Sequence, residues 1–165
     1  MNELEIELLK LIERNANLEA DKIAKLMGKD IEEIRELIKE LEKKKAILGY
    51  STLIDWAKVL DKEEVTAMVD VKVTPARGVG FDKVAERIYR FPEVKAVYLM
   101  SGSYDLSVSI KGNTMTEIGR FISEKLSTLE SVLSTTTHFV LKRYKHDGII
   151  LEDNDEEDKR IVVSP

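Results

Sequence analysis

The sequence predicts an α+β protein in two parts: an N-terminal (winged) helix-turn-helix followed by a ferredoxin-like βαββαβ domain. Three observations predict it. Apolar residues recur at helical spacing in three short runs before residue 45, with Gly28 between the second and third. Strict alternation of apolar and polar residues replaces that spacing over Val65–Val73. Helix and strand patterns then follow one another in the order β-α-β-β-α-β.

The first helix is expected over about Asn2–Asn15, where Leu4, Leu8, Leu11 and Ile12 share one face. The second runs from about Glu19 to Met27, with Ile23, Leu26 and Met27 in phase. Gly28 breaks the chain, and Asp30 stands where it can cap a third helix that reaches about Lys45. Ile34, Leu37, Ile38 and Leu41 form the inner face of that helix. Ile47–Ile54 has strand composition with a break at Gly49, which suits a wing or a strand leading out of the module. Asp61–Glu64 is the expected hinge; Trp56 either anchors the two parts on each other or lies buried within one of them.

In the second part, Val65–Val73 alternates as a half-buried strand does. A loop over Thr74–Gly80 precedes a helix carrying Phe81, Val84, Ala85, Ile88 and Tyr89, which Pro92 ends. Val94–Ser101 and Tyr104–Lys111 are strands joined by a turn at Gly102-Ser103. Ile118, Phe121, Ile122 and Leu126 mark a second helix, and Val132–Leu141 the last strand. The sheet face carrying Met68 and Asp70 has no helix to cover it and is expected to receive a second subunit. The expected boundaries are 1–54 for the helix-turn-helix, 55–64 for the linker, 65–144 for the βαββαβ domain and 145–165 for an acidic tail.

The bulk properties exclude several classes. The 165 residues carry a net charge of −5 and contain no cysteine, which removes disulfides and thiolate metal sites. No apolar run approaches the roughly 18 residues of a membrane span, and glutamates stand where a secretory leader would be basic, so a cytoplasmic protein is expected. Charge is unevenly spread: 11 Lys/Arg against 13 Asp/Glu in residues 1–60, but 11 against 8 in residues 65–144. Residues 145–165 hold 3 against 7. Any affinity for nucleic acid must therefore come from local placement of cations.

The third helix is the place to look. Its outer side displays Glu32, Glu36, Lys39 and Lys43, with Arg35 and Glu40 on the flanks. One reading gives Arg35 and Lys39 to a major groove, with Lys29 and Lys43 near phosphates. The other is a solvated face laced with ion pairs, Glu32–Arg35, Glu36–Lys39, Glu40–Lys43 and Glu40–Lys44. Residue chemistry leaves both open.

With this domain order and the run Gly102-Ser103-Tyr104-Asp105, the chain resembles the leucine-responsive regulator/AsnC (feast/famine) family over about residues 2–144. The second-domain signature of that family, G-x-[YF]-D, stands here as Gly102-Ser103-Tyr104-Asp105. The first domain matches in Glu5-Ile6-Glu7-Leu8-Leu9, Arg14-Asn15-Ala16-Asn17, Leu26-Met27-Gly28 and Ile38-Lys39-Glu40-Leu41 ahead of Ala46-Ile47. The departures lie in the third helix: Leu37 and Glu40 occupy positions often Arg in relatives, and Lys45 stands where a Gly is usual. The resemblance implies a DNA-binding transcription regulator that is homo-oligomeric and responds to a small metabolite, an amino acid for preference. Double-stranded DNA would meet Lys29, Arg35, Lys39 and Lys43. The effector would sit near the turn, pointing to Leu99, Met100, Gly102, Tyr104 and Asp105, with Thr135 and Thr137 on the last strand. Asp105 suits an α-ammonium and a turn glycine leaves room for a ligand. The alternative is that Gly102-Ser103 only makes a hairpin and Asp105 satisfies local amides.

Other signals are weaker. Gly78-Val79-Gly80 lacks the third glycine of a dinucleotide fingerprint, since Lys83 is there, and reads as a loop with Arg77 solvated. His138 and His146 have no second ligand at metal spacing, and no serine has a His–Asp pattern beside it, so no metal, cofactor or catalytic residue is expected. Glu152–Asp158 is almost wholly acidic; it is a solvated arm, or a spacer that docks Ile161–Val163 on a sheet edge and competes with DNA for Arg35 and Lys39. Two rival functions remain: a ligand-sensing oligomer without DNA binding, and an enzyme similar to sirohaem decarboxylases, which share the two-domain arrangement.

Overall fold

The computed structural model describes residues 2–59, 64–75 and 80–151. Residues 61–63 of the hinge expected over Asp61–Glu64, Arg77 with Gly78-Val79, and the acidic arm with Ile161–Val163 lie outside the described residues. The chain divides into two compact units, Met1–Ile54 and Asp55–Pro165.

The first unit is three helices around one small core. Helix α1 (Glu3–Arg14) opens with a reciprocal cap: Glu5 N–H donates to Asn2 Oδ1 at 2.8 Å, and Asn2 N–H donates back to Glu5 Oε2 at 2.7 Å. Helix α2 (Ala20–Met27) ends at Gly28, whose φ of 62° lets Lys29 N–H reach Ala24 O at 2.9 Å. Asp30 then caps α3 (Ile31–Lys43) by accepting from Glu32 N–H at 2.8 Å. Leu8, Ile23, Ala24, Ile34 and Leu41 form the buried core, with Leu37 and Ile38 packed at its edge.

The end of α3 repeats the end of α2 with a different residue. Lys45 N–H donates to Glu42 O and Ala46 N–H to Leu41 O at 2.9 Å, the same two-bond cap. Here the left-handed position, φ 56°, is filled by Lys45. A side chain thus occupies a conformation that glycine adopts at less cost.

The β segment expected over Ile47–Ile54 is not a strand in the structure. Among the described residues unit 1 has no second strand to complete a ladder, and Ile47 N–H donates instead to Leu41 O at 3.2 Å. Ile47 joins the core, while Leu48 is 87% exposed and Tyr50, Leu53 and Ile54 are exposed as well. Trp56 starts a single 3₁₀ turn, Trp56–Lys58, and is exposed rather than buried.

The second unit has the expected order: β1 (Val65–Val73), α4 (Asp82–Tyr89), β2 (Val94–Leu99), β3 (Leu106–Gly112), α5 (Met115–Phe121) and β4 (Val132–Phe139). The sheet is antiparallel in the order β2-β3-β1-β4. This is the ferredoxin-like arrangement. Register sets the two faces. Ala67, Val69 and Val71 lie opposite Ile110, Val108 and Leu106, and all six are buried. Val84, Ile88, Ile118, Phe121, Ile122 and Leu126 from the helices complete that core. After α5 the helix widens to a π turn over Ile122–Leu126, closed by Ser127 N–H on Ile122 O at 2.8 Å. Widening keeps Phe121, Ile122 and Leu126 all buried.

Among the described residues of this unit, no helix packs on the opposite face. It presents Met68, Asp70 and Lys72 from β1 beside Ser134, Thr136 and His138 from β4. His138 Nε2 lies 3.1 Å from Asp70 Oδ2 across the two strands. A small hairpin, β5 (Lys145–His146) with β6 (Ile149–Ile150), follows β4 inside the stretch expected to be an acidic tail. Its turn is Asp147-Gly148, both at positive φ, 45° and 81°. That dipeptide is a strong hairpin signal, which the reading of the stretch as charged tail passed over.

Candidate DNA-reading helix and effector turn

The surface of α3 resolves part of the choice left open by the sequence. Two of the four expected pairs form: Arg35–Glu32 at 2.6 Å and Lys44–Glu40 at 3.2 Å. Glu36–Lys39 and Glu40–Lys43 are not among the ion pairs of the described residues. Lys44 also reaches Glu5 at 3.4 Å, tying the end of α3 to the start of α1, and Lys29 is held by Glu33 at 3.6 Å. Lys44 titrates above its ordinary value because Glu40 and then Glu5 stabilise the ammonium.

Of the four cations predicted to meet DNA, Arg35 on α3 and Lys29 in the turn before it are therefore engaged with carboxylates of α3. Lys39 and Lys43, one turn apart, are exposed and carry no ion pair among the described residues. An exposed i,i+3 or i,i+4 pair contributes about 0–1 kcal/mol, so Arg35 and Lys29 exchange partners at small cost. Glu36 and Glu40 stay on the same face and oppose a phosphate backbone.

At the other candidate site, Leu99 ends β2, and Met100, Gly102, Tyr104 and Asp105 fall within the connection that follows it to β3. Met100 N–H donates to Asp105 O at 2.8 Å, closing the loop. Gly102 has φ 157°, with no heavy atom of the protein within 4 Å of where a Cβ would lie. Leu99 and Met100 are exposed on the edge of the sheet, while Tyr104 and Asp105 are half-buried. Asp105 is also structural: its Oδ2 accepts from Val73 N–H at 2.9 Å, and its own N–H donates to Val71 O at 3.1 Å. The side chain continues the β1–β3 ladder beyond the last strand pair. One carboxylate oxygen is thereby committed to β1, and the other is available to a donor.

Thr135 and Thr137 are not beside that turn. They pair with Val71 and Val69, so β1 and β3 separate them from β2, although Thr135 stands in line with Leu106. Both lie on the helix side of β4, where Thr135 Oγ1 is 3.4 Å from Ser127 Oγ. Two strand spacings amount to roughly 10 Å, too far for one small ligand to join them to Asp105 within this chain.

One cavity was not foreseen. It measures about 130 Å³ and lies between the start of β2, the end of β3 and α5. Glu93, Lys111, Arg120, Glu124 and Lys125 ring an apolar floor of Ile110, Ile118 and Phe121. Glu93 follows Pro92, where the sequence pattern speaks only of a helix stop; no local spacing joins it to Arg120. No cluster of three or more potential metal ligands occurs among the described residues.

Comparison with known proteins adds to this geometry. Residues 66–150 match the model of the Lrp/AsnC ligand binding domain. The whole chain is 59% identical to a protein of Bacillus subtilis named as the HTH-type transcriptional regulator YugG, covering 99% of it. It is 25% identical to the leucine-responsive regulatory protein of Haemophilus influenzae, over 92% of this chain and 90% of that one. In fold it is similar to the transcriptional regulator NMB0573 of Neisseria meningitidis, solved with L-Met: TM-score 0.69, 20% identity, covering 88% and 93% of the two chains.

Proposed function

Because the chain belongs to the Lrp/AsnC family, whose members matched here are named as transcriptional regulators and not as enzymes, we propose that it binds double-stranded DNA through α3 and answers a small metabolite, an amino acid for preference, at the Gly102 turn. The observation that carries the reading is the pairing of a helix-turn-helix with Lys39 and Lys43 uncommitted on its outer helix and a matched ligand-binding domain in one chain. Lys39 and Lys43 meet phosphate first; Arg35 and Lys29 follow once they leave Glu32 and Glu33. One cation pair per module is a small electrostatic grip, so affinity rests on several modules joined in a homo-oligomer. The helix-free sheet face with Met68, Asp70 and His138 is the surface for the second copy.

The effector lies against Leu99, Met100, Gly102 and Tyr104, with its ammonium on the free oxygen of Asp105; Thr135 and Thr137 enter only from a neighbouring copy. The Neisseria protein of similar fold, solved in complex with L-Met, supports an amino acid as the effector. Ligand at contacts between copies alters the spacing of paired α3 helices, and with it the match to DNA half-sites.

A second reading, a ligand-sensing oligomer without DNA binding, is favoured by Glu36 and Glu40 on the outer face of α3. Selection of bound fragments from sheared genomic DNA, with and without individual amino acids, separates the two. Enrichment of discrete fragments that an amino acid shifts supports the regulator. An oligomer that binds amino acids and enriches no DNA at low salt leaves only the second reading.

A further inference from the structure

The geometry points to a separate small-molecule site in the cavity beside Glu93, shaped for a small zwitterion of the α-amino-acid type, with its ammonium on Glu93 and its carboxylate on Arg120. The register places it at the opposite end of the sheet from the Gly102 turn, since Val94 pairs with Ile110 there and Leu99 with Leu106 at the other end. It therefore stands whether or not that turn takes an effector.

The argument begins with an unmet donor requirement. Glu93 Oε1 accepts from Lys125 Nζ at 2.7 Å, but Glu93 Oε2 is buried and has no hydrogen-bond partner. A buried carboxylate oxygen without a donor is uncommon, and it marks a place where one is expected. The hydrogen bond from Lys125 holds the Glu93 carboxyl below the usual carboxylate range against the opposing effect of burial, so the group is charged at neutral pH. The neighbouring lysines are engaged. Lys125 sits over the rings of Phe91 and Phe121, at 5.9 and 5.5 Å from their centroids. Lys111 is bound to Glu64 at 3.1 Å and Lys95 donates to Pro92 O at 3.2 Å.

Arg120, on the rim, has no ion pair among the described residues, and Glu117 is occupied by the Asn113 backbone and side-chain amides at 2.9 and 3.1 Å. An unmet acceptor and an uncommitted guanidinium over an apolar floor match a molecule with a cationic donor and a carboxylate. A volume of about 130 Å³ restricts it to a short side chain. A divalent cation fits poorly, because it needs six or so oxygen ligands and would meet Lys125 beside the one that is free.

The test is methyl NMR of the full chain with labelled Ile, Leu and Met, titrated separately with glycine, L-alanine and L-serine to about 10 mM, which reaches dissociation constants in the millimolar range. Ile110 and Ile118 report the cleft; Leu99 and Met100 report the distant turn. The expected result is a saturable shift of Ile110 and Ile118 with at least one of the three. Glu93→Gln weakens it at least tenfold; Arg120→Gln, at an exposed position, does the same for the amino acid but leaves the shift caused by methylamine unchanged. Silence at Ile110 and Ile118 with all three, movement confined to Leu99 and Met100, or a response that survives Glu93→Gln in a protein with otherwise unaltered spectra would overturn the assignment.

Discussion

Replacing Lys45 with glycine should stabilise the first unit, although it removes a side chain and adds no interaction. Lys45 holds φ 56° so that Lys45 and Ala46 can cap α3. A left-handed conformation costs an L-residue about 1–2 kcal/mol, a cost that glycine escapes. Glycine gives back about 0.5–1 kcal/mol through the entropy of its unfolded chain. The net expectation is a gain of roughly 0.5–1 kcal/mol, about a twofold to fivefold change in the unfolding equilibrium. Lys45→Ala is the control, because it deletes the same charge and keeps the Cβ that causes the strain. Native-state hydrogen exchange at the amides of Ile34 and Leu41, both buried in unit 1, reads the effect without interference from unit 2. Exchange should slow about twofold or more in Lys45→Gly relative to Lys45→Ala. Equal rates in the two variants would refute the strain argument.

Other outcomes follow from the same geometry. Asp105→Ala leaves the buried Val73 N–H without its acceptor and should cost about 1–3 kcal/mol in urea unfolding. Asp105→Asn keeps an acceptor and should cost less than half of that, while both variants lose amino-acid affinity measured by calorimetry. The double variant Lys39→Ala/Lys43→Ala should lower the slope of log K against log salt by about 1.8 per bound module, at about 0.9 for each lost phosphate contact, with thermal stability unchanged. The Glu5 carboxyl is held below its ordinary 4.5, chiefly by the Asn2 N–H. Because its folded value is the lower one, its contribution is complete above pH 4.5 and lost as pH falls through the folded value. Glu5→Gln should flatten the loss of unit 1 stability below that pH in an acid titration followed by circular dichroism.

Some of this was legible in the sequence and some was not, for physical reasons. The bounds of β1 follow from strict alternation over Val65–Val73, because one face packs on helices and the other does not. The capping of α3 by Asp30 is a local rule obeyed locally. The segment Ile47–Ile54 shows the limit: β composition states a preference, but a strand exists only where a partner supplies the ladder. Helical spacing alone cannot say which of several lysines a glutamate will choose, so Glu32–Arg35 and Glu40–Lys44 formed while Glu36–Lys39 did not. The Glu93 cavity was hidden for a different reason. Its members, Glu93, Ile110, Arg120 and Lys125, meet only through the sheet crossover, and distance along the chain conceals them.

The bond between Asp105 and β1 has a mechanical consequence. The oxygen that fastens Val73 sits beside the register shift between Lys72 and Val73, where the pairing of β1 with β4 is already irregular. On the proposed effector reading, a guest cation that draws this carboxyl toward itself would pull on one of the irregular places in the sheet, where β1 meets the outer strand β4. On the reading proposed above, occupancy at the loop would become a change of edge shape, a signal open to a neighbouring copy without any rearrangement of the core.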